Sequence, residues 1–388
     1  MRVTILGGGM ITHDQILPSL FQLQRLGVVE EIAVCSRSES TLQSLADSAI
    51  LREAFPGQSF VPLTGSFEQI IPKVTPRNLA VIALPDHLHF DASLAALEAA
   101  QHLLVVKPLV LRVAEAETID RAAFERGLFV GIEYHKRFDD RSLMARRKYK
   151  AGDFGEFRLG SACLMEKWFY RRSNFQNWCT ADNSDAFSYI GCHYVDLVRF
   201  ITGLDPAAVS VYGIRDRFPN GREGYLWTDA RVIWTNGACL NVQNSLSAAD
   251  EAPGTNFQGL TLYCAGPDGG ALIRHSDQYR GVEYIYTRRA SSEGSTVYAE
   301  PSPDYFQYVD LGGGGLRPVG YGFRSIEYLA GCALRVEAAA DRRRAIREID
   351  EEGLAATPAN SRYNERVIEA ARQSLQRGGE LISIESPR

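Results

Sequence analysis

The chain has 388 residues, of which 45% are hydrophobic and 23% charged, and its formal net charge is −5. That length fits about two or three domains of an ordinary globular protein. The charge leaves no basic footprint for nucleic acid, and no apolar run reaches the roughly 20 residues of a membrane helix. The seven cysteines are scattered without a Cys-x-x-Cys, which argues against a disulfide framework or a zinc site and for a reducing, cytoplasmic setting. The first residues enter a strand with no charged-then-apolar leader, so no signal peptide is expected.

Val3 to Leu6 is a short apolar run suited to a buried parallel strand. Gly7-Gly8-Gly9 follows, and then His13 to Leu26 places Ile16, Leu20, Leu23 and Leu26 at helical spacing. Strand, glycine turn and helix open a dinucleotide-binding unit, because the turn lets backbone approach a pyrophosphate and the helix N-terminus offers free N–H groups. The spacing is Gly7-x-Gly9-x-x-Thr12, without the third glycine of the fingerprint. Gly7, Gly9, Met10 and Ile11 are the expected cofactor contacts; a tight structural turn is the alternative.

Glu31 to Cys35 reads as a second strand, and Ser36-Arg37-Ser38 stands where such a fold senses the ribose. No carboxylate is there to repel a 2′-phosphate. Arg37 can pair with one and Ser36 can donate to it, which favours NADP over NAD. The alternative has Arg37 stacking on adenine or pointing to solvent. Ser40 to Phe55 is mostly helical. Leu79 to Leu84 is a continuous apolar strand, closed by Pro85-Asp86-His87-Leu88-His89. Two histidines flanking one residue make a thin metal signature. The preferred reading is a loop lining the cofactor crevice, with Leu84, Pro85, His87 and His89 as contacts and no metal.

Asp91 to Ala100 is the next helix, and His102 to Val106 a buried strand ending in Lys107-Pro108. Lys107 sits at a strand's C-terminal end, on the edge where open α/β sheets bind ligands. An ammonium there can lower the pKa of a bound hydroxyl or pass a proton; a plain surface lysine is the alternative. Val113 to Arg126 is a helix and Phe129 to Ile132 a strand. The alternation through residue 132 implies a doubly wound parallel sheet with right-handed crossovers. The expected domains are residues 1–132, a Rossmann dinucleotide-binding domain, and residues 133–388, a substrate-binding and oligomerisation domain.

Farther on, Tyr189 and His193 lie four apart on a helix expected from Ser188 to Ile201, which puts both on one face. A neutral imidazole can take a hydroxyl proton near neutral pH. Asp196 is left mostly structural. Trp168 lies in an aromatic and basic stripe, Glu166 to Arg172, that suits a carbohydrate's apolar face and polar rim, or else an interface strand. From Ala208 the chain alternates strands and turns, with β segments at Val209 to Gly213, Thr228 to Thr235, Ala238 to Ser245 and Gly259 to Cys264. Gly312 to Gly315 lacks the strand and helix of a phosphate loop. Helices are expected at Tyr321 to Ala340 and Asn360 to Gln376, with residues 341–352 as a solvated charged face.

The chain resembles the Gfo/Idh/MocA family of nicotinamide-dependent oxidoreductases, specifically over roughly residues 1–205. The likeness rests on the glycine turn, Pro85-Asp86-His87-Leu88-His89, and Val106-Lys107-Pro108 at the site of the family's Glu-Lys-Pro. It extends to Glu133-Tyr134-His135-Lys136-Arg137-Phe138-Asp139, Gly152-Asp153-Phe154-Gly155-Glu156, and Gly191-Cys192-His193-Tyr194-Val195-Asp196 at Gly-x-His-x-x-Asp. The resemblance implies an N-terminal Rossmann domain, then a C-terminal α+β domain with a large open, mostly antiparallel sheet that commonly buries one face in a homodimer or homotetramer. It implies hydride transfer between NAD(P) and a secondary alcohol of a sugar, glycoside or polyol. Lys107 and His193 fall on the usual catalytic pair, and both are expected to contact the substrate, Lys107 the cofactor as well. On the residues themselves, Tyr189 is a further donor or substrate contact, Tyr134 and Trp168 are substrate contacts, Pro108 is a cofactor contact and His135 a cofactor or substrate contact. A glycosidase working through transient oxidation by NAD is one alternative, and a non-catalytic cofactor-sensing regulator is another. The chain departs from the pattern at Val106, where the family has glutamate, and at Tyr189, where it often has aspartate.

Overall fold

A computed structural model describes residues 1–250, 256–266, 269–276, 283–291, 294–301 and 304–384. Contacts divide the chain into two compact units, Met1–Phe138 with Phe306–Glu365, and Asp139–Tyr305 with Arg366–Arg388. The sequence suggests one cut after residue 132; packing instead returns a late segment to the first unit.

In the first unit β1 (Val3–Leu6), β2 (Ile32–Ser36), β3 (Val61–Thr64), β4 (Leu79–Ile82), β5 (His102–Val106) and β6 (Val130–Glu133) form one parallel sheet in the order β3-β2-β1-β4-β5-β6. Every residue of β1 and β4 is buried, as expected of parallel strands covered on both faces, and each Val, Leu or Ile among them contributes about 1.5–3 kcal/mol. The sequence reading misses β3. It lies at the sheet's edge, Val61 is 44% exposed and Pro62 interrupts it, so no apolar run marks it. The strand order reverses between β1 and β4, which makes their C-terminal ends the switch point where α/β sheets take ligands. Helix Tyr321–Ala338 returns to this core: Ile326, Leu329, Ala333 and Val336 share one buried cluster with Val3, Ile5, Leu20 and Phe129.

In the second unit β7 (Glu156–Lys167), β8 (Pro206–Arg217), β9 (Glu223–Trp234), β10 (Cys239–Ala248), β11 (Phe257–Gly266) and β12 (Gly269–His275) make a mixed sheet in the order β12-β11-β7-β10-β9-β8, with Ile382–Ser383 added beyond β8. The β7–β10 pair is parallel and the other pairs are antiparallel. Side chains alternate along β9, with Leu226, Ala230, Val232 and Trp234 facing the core. Among the described residues the side chains of the other face are exposed or half-buried along β9.

Several expected helices are broken. Ser40 to Phe55 is two helices, Glu39–Ala46 and Ala49–Ala54, interrupted at Asp47-Ser48. The charged stretch folds as helix Arg342–Glu352, capped by Asp341 and burying Ala345 and Ile349, so only one side of it is solvated. Asn360 to Gln376 splits into Pro358–Ser361 and Tyr363–Gln376. Both helices that follow candidate motifs contain a wide π turn, Thr12–Ile16 ahead of Leu17–Arg25 and Phe187–Gly191 ahead of Cys192–Thr202.

Candidate active site

The glycine turn leaves β1 at the switch point. Gly7 has φ +108°, and a Cβ there would lie 2.1 Å from the Ala83 carbonyl oxygen at the end of β4, so only glycine fits. A Cβ on Gly9 would meet nothing within 4 Å. Thr12 is fully buried, and its hydroxyl donates to the Gly7 carbonyl at 2.7 Å. The residue in the third glycine's place therefore clips the turn shut from below. The first N–H groups of the helix have no intrahelical acceptor and carry its positive end. Met10 is 37% exposed beside them, and Ile11 is half-buried. Open space over Gly9 next to a helix N-terminus fits a dinucleotide's pyrophosphate.

At the end of β2, Ser38 caps helix Glu39–Ala46 by accepting from the Thr41 N–H, and the Ser36 hydroxyl accepts from the Ser38 N–H at 3.2 Å. Arg37 is exposed. This set also fits a nucleotide, with the one cation of the stretch turned outward.

After β4, Leu84 and Pro85 are half-buried and His87 is exposed. His89 is fully buried, with Nδ1 2.7 Å from the Pro108 oxygen and Nε2 2.8 Å from the Leu84 oxygen. It stands behind the crevice loops and braces one against the other. The Lys107–Pro108 peptide is cis and Lys107 is half-buried. Through the Pro108 oxygen, His89 also fixes the backbone just past the candidate lysine.

The end of β6 holds a buried polar cluster. Glu133 Oε1 accepts from Gln15 Nε2 at 2.8 Å and from the Ser325 hydroxyl at 2.6 Å, and its Oε2 lies 2.9 Å from His135 Nδ1. The His135 ring stacks on Tyr321 with centroids 5.6 Å apart. Tyr134 is 1% exposed, with the Arg137 guanidinium 5.9 Å from its ring centre. Lys136 and Arg137 are buried, and Arg137 donates to the Tyr363 hydroxyl at 2.9 Å. The motif at residues 133–139 names Glu133 without a role, and no motif points to Gln15 or Ser325. The available signal is an acid closing an otherwise apolar strand.

In the second unit the π turn Phe187–Gly191 packs on β10. Buried Asp185 holds its start, accepting from the Ser188 N–H at 2.8 Å and the Ser188 hydroxyl at 2.6 Å. Burial pushes that carboxyl above the usual range, and the Ser188 bonds pull the other way. A Cβ on Gly191, two residues before the candidate histidine, would lie 2.4 Å from Asn244 Oδ1, so a side chain there would have to displace that amide. His193 is 5% exposed and Asp196 is buried. The π turn is wound i to i+5, so the four-residue spacing does not by itself stack Tyr189 over His193, as a regular helix would. The Tyr189 ring lies against Phe175 and Trp178, with centroids at 4.7 and 5.7 Å. Half-buried Trp168 follows β7. The guanidinium of Arg171 sits 4.0 Å over its ring, and Arg171 is itself buried and paired with Asp216. The aromatic and basic stripe is thus a strand end running into helix Phe169–Arg172. Lys107 belongs to the first unit, and Trp168, Tyr189 and His193 to the second.

Residues 1–134 match the oxidoreductase family with an NAD-binding Rossmann fold, Gfo/Idh/MocA, and residues 142–266 match the Gfo/Idh/MocA C-terminal domain. The chain belongs to this family. Scyllo-inositol 2-dehydrogenase (NADP(+)) of Bacillus subtilis is 23% identical over 217 residues, covering 54% of this chain and 54% of that protein. D-glucoside 3-dehydrogenase of Escherichia coli is 25% identical over 216 residues, covering 54% and 56%. The chain thus spans about half the length of these curated relatives. The crystal structure of scyllo-inositol dehydrogenase from Lactobacillus casei, with bound NAD(H) and scyllo-inositol, shares the fold over 100% of this chain and 99% of its own, with a TM-score of 0.66 at 14% identity.

Proposed function

We propose that this protein is an NAD(P)-dependent dehydrogenase that moves hydride between a secondary alcohol of a sugar, glycoside or polyol and the nicotinamide, with NADP preferred. The observation that carries the reading is the turn at the switch point, with Gly7 locked under Ala83, Gly9 open and a helix N-terminus behind it. Exposed Arg37 supports the choice of NADP. Relatives named for inositol and glucoside dehydrogenation support the substrate class. Neither the glycosidase nor the regulator alternative gains an observation of its own.

The nicotinamide, when bound, supplies the hydride acceptor or donor. The chain handles the proton. His193 takes the hydroxyl proton during oxidation and returns it during reduction, while the Lys107 ammonium stabilises the negative charge gathering on the same oxygen. Tyr189 adds a hydroxyl-level contact. Half-buried Trp168 gives an apolar ring face to the C–H side of the substrate, whereas Tyr134, expected beside it, is buried and acts at most from behind the site. Gly7, Gly9, Met10, Ile11, Ser36, Arg37, Leu84, Pro85, His87, Pro108 and His135 line the cofactor's course, with His89 bracing the loops from behind. The open face of the second sheet supports a homo-oligomer.

Cofactor titration by calorimetry, followed by a polyol and glycoside panel, tests the reading. NADP binding tighter than NAD and turnover of at least one secondary alcohol are the expected results. Lys107→Ala and His193→Ala should each lower kcat on that substrate by about 100-fold or more. Full activity in both variants would remove the catalytic assignment.

A further inference from the structure

We infer that Glu133 is a positioning residue that sets the tautomer of His135, from the β6 position beside the β5 site where the family motif has its glutamate. The first observation is register. Val106 stands where the family has the glutamate of Glu-Lys-Pro, and in the parallel ladder its partner on β6 is Glu133. Partners in a parallel ladder project to the same face. The carboxylate missing from position 106 is thus present one strand over, in the same layer.

The second observation is the hydrogen-bond census of that carboxylate. Oε1 takes the hydrogens of Gln15 Nε2 (2.8 Å) and the Ser325 hydroxyl (2.6 Å), and Oε2 faces His135 Nδ1 at 2.9 Å. Gln15 Nε2 also reaches the Gly322 carbonyl at 3.0 Å, which fixes which end of its amide faces Glu133. A carboxylate only accepts, so the ring nitrogen it meets carries the hydrogen, and Nε2 is the acceptor of the neutral ring. Tyr321 stacks on that ring and limits its tilt. Gln15 lies in the π turn behind the glycine loop. One buried carboxylate therefore ties the turn that approaches the nucleotide to the imidazole at the end of β6.

The chemistry predicts a specific response to Glu133→Gln. The new amide oxygen is drawn to the two donors, Gln15 and Ser325. Its NH2 then faces Nδ1, which must give up its hydrogen to accept, so the ring switches to the Nε2–H tautomer. The kinetic arm of the test rests on the dehydrogenase reading; the spectroscopic arm does not. Ring-15N spectra of the histidine-labelled protein, with the His135 signals assigned by their loss in His135→Asn, should show Nδ1–H in the parent and Nε2–H in Glu133→Gln. With an alcohol substrate in hand, Glu133→Gln should lower kcat/KM by about tenfold or more. An Nε2–H ring in the parent, which needs no Glu133 variant, overturns the inference. So does the same tautomer in both proteins, or a kcat/KM within about twofold of the parent. If the ring signals exchange but no alcohol is turned over, the dehydrogenase reading fails and the assignment of Glu133 stands.

Discussion

At the residue scale the glycine turn separates two roles that a motif merges. Gly7 is demanded by the fold: its φ of +108° and the Ala83 oxygen 2.1 Å from any Cβ leave no room. Gly9 has open space around it. Gly7→Ala should therefore lose stability, by about 2 kcal/mol or more from strain and overpacking, seen as a lower Tm without ligand. Gly9→Ala should keep the parent Tm and lose nucleotide affinity by about tenfold or more, because the new methyl stands where backbone must approach a pyrophosphate. Equal effects on Tm would mean that the turn is only structural. Arg37 offers a second separation. Losing one charge-assisted pair with a 2′-phosphate costs about 1.5–3 kcal/mol, so Arg37→Ala should weaken NADP by about tenfold or more and leave NAD unchanged. A parallel loss for both cofactors would contradict that role. Lys107 and His193 are legible because each sits in a short motif. Glu133 is not, because its meaning comes from Val106 across the ladder and from Gln15 and Ser325 far along the chain.

At the scale of the element, β1, β4 and β5 are readable because a parallel strand buried on both faces must be apolar throughout. The π turns are not readable from spacing; in the second, Gly191 lies against Asn244 and Ser188 is held by Asp185. Helix Arg342–Glu352 shows how charge hides a role, since its buried side carries only Ala345 and Ile349. Near its end Asp350 accepts from the Thr357 hydroxyl. Burial, with the charges of Asp120 and Glu351, pushes Asp350 up to about 6 from 3.8, against the pull of Thr357. The folded state thus binds this proton more tightly than the unfolded chain does. Its contribution to stability is largest below the ordinary carboxyl range and falls as pH rises through about 4 to 6, then levels off. Asp350→Asn removes that titration. Thermal unfolding should show the variant gaining on the parent between pH 4 and 6 and holding a constant gap above it. A gap independent of pH would contradict the burial argument.

For the whole molecule, the open face of the second sheet carries an apolar row in register. Leu272 pairs with Tyr263 and Tyr263 with Leu159, each about half exposed at 50%, 51% and 50%. A contiguous apolar surface of this kind marks an association site, and a twofold partner presenting the same row would cover it. Sedimentation analysis should find an oligomer in the parent and a smaller species in Leu159→Arg and Tyr263→Glu, with unchanged cofactor affinity. A monomeric parent would remove the expectation. The sequence by itself determined the alternating first half, the glycine turn and the family, because those signals are local: apolar runs, turn residues and short motifs. The tertiary structure alone decided that residues 306–365 complete the first unit, that Thr12 closes the turn in place of a glycine, and that a carboxylate absent from β5 is present on β6. The first and last of these depend on residues distant in sequence meeting in space, and the Thr12 clip depends on how the turn folds back over the five residues to Gly7; nothing in local propensity or spacing encodes which groups meet.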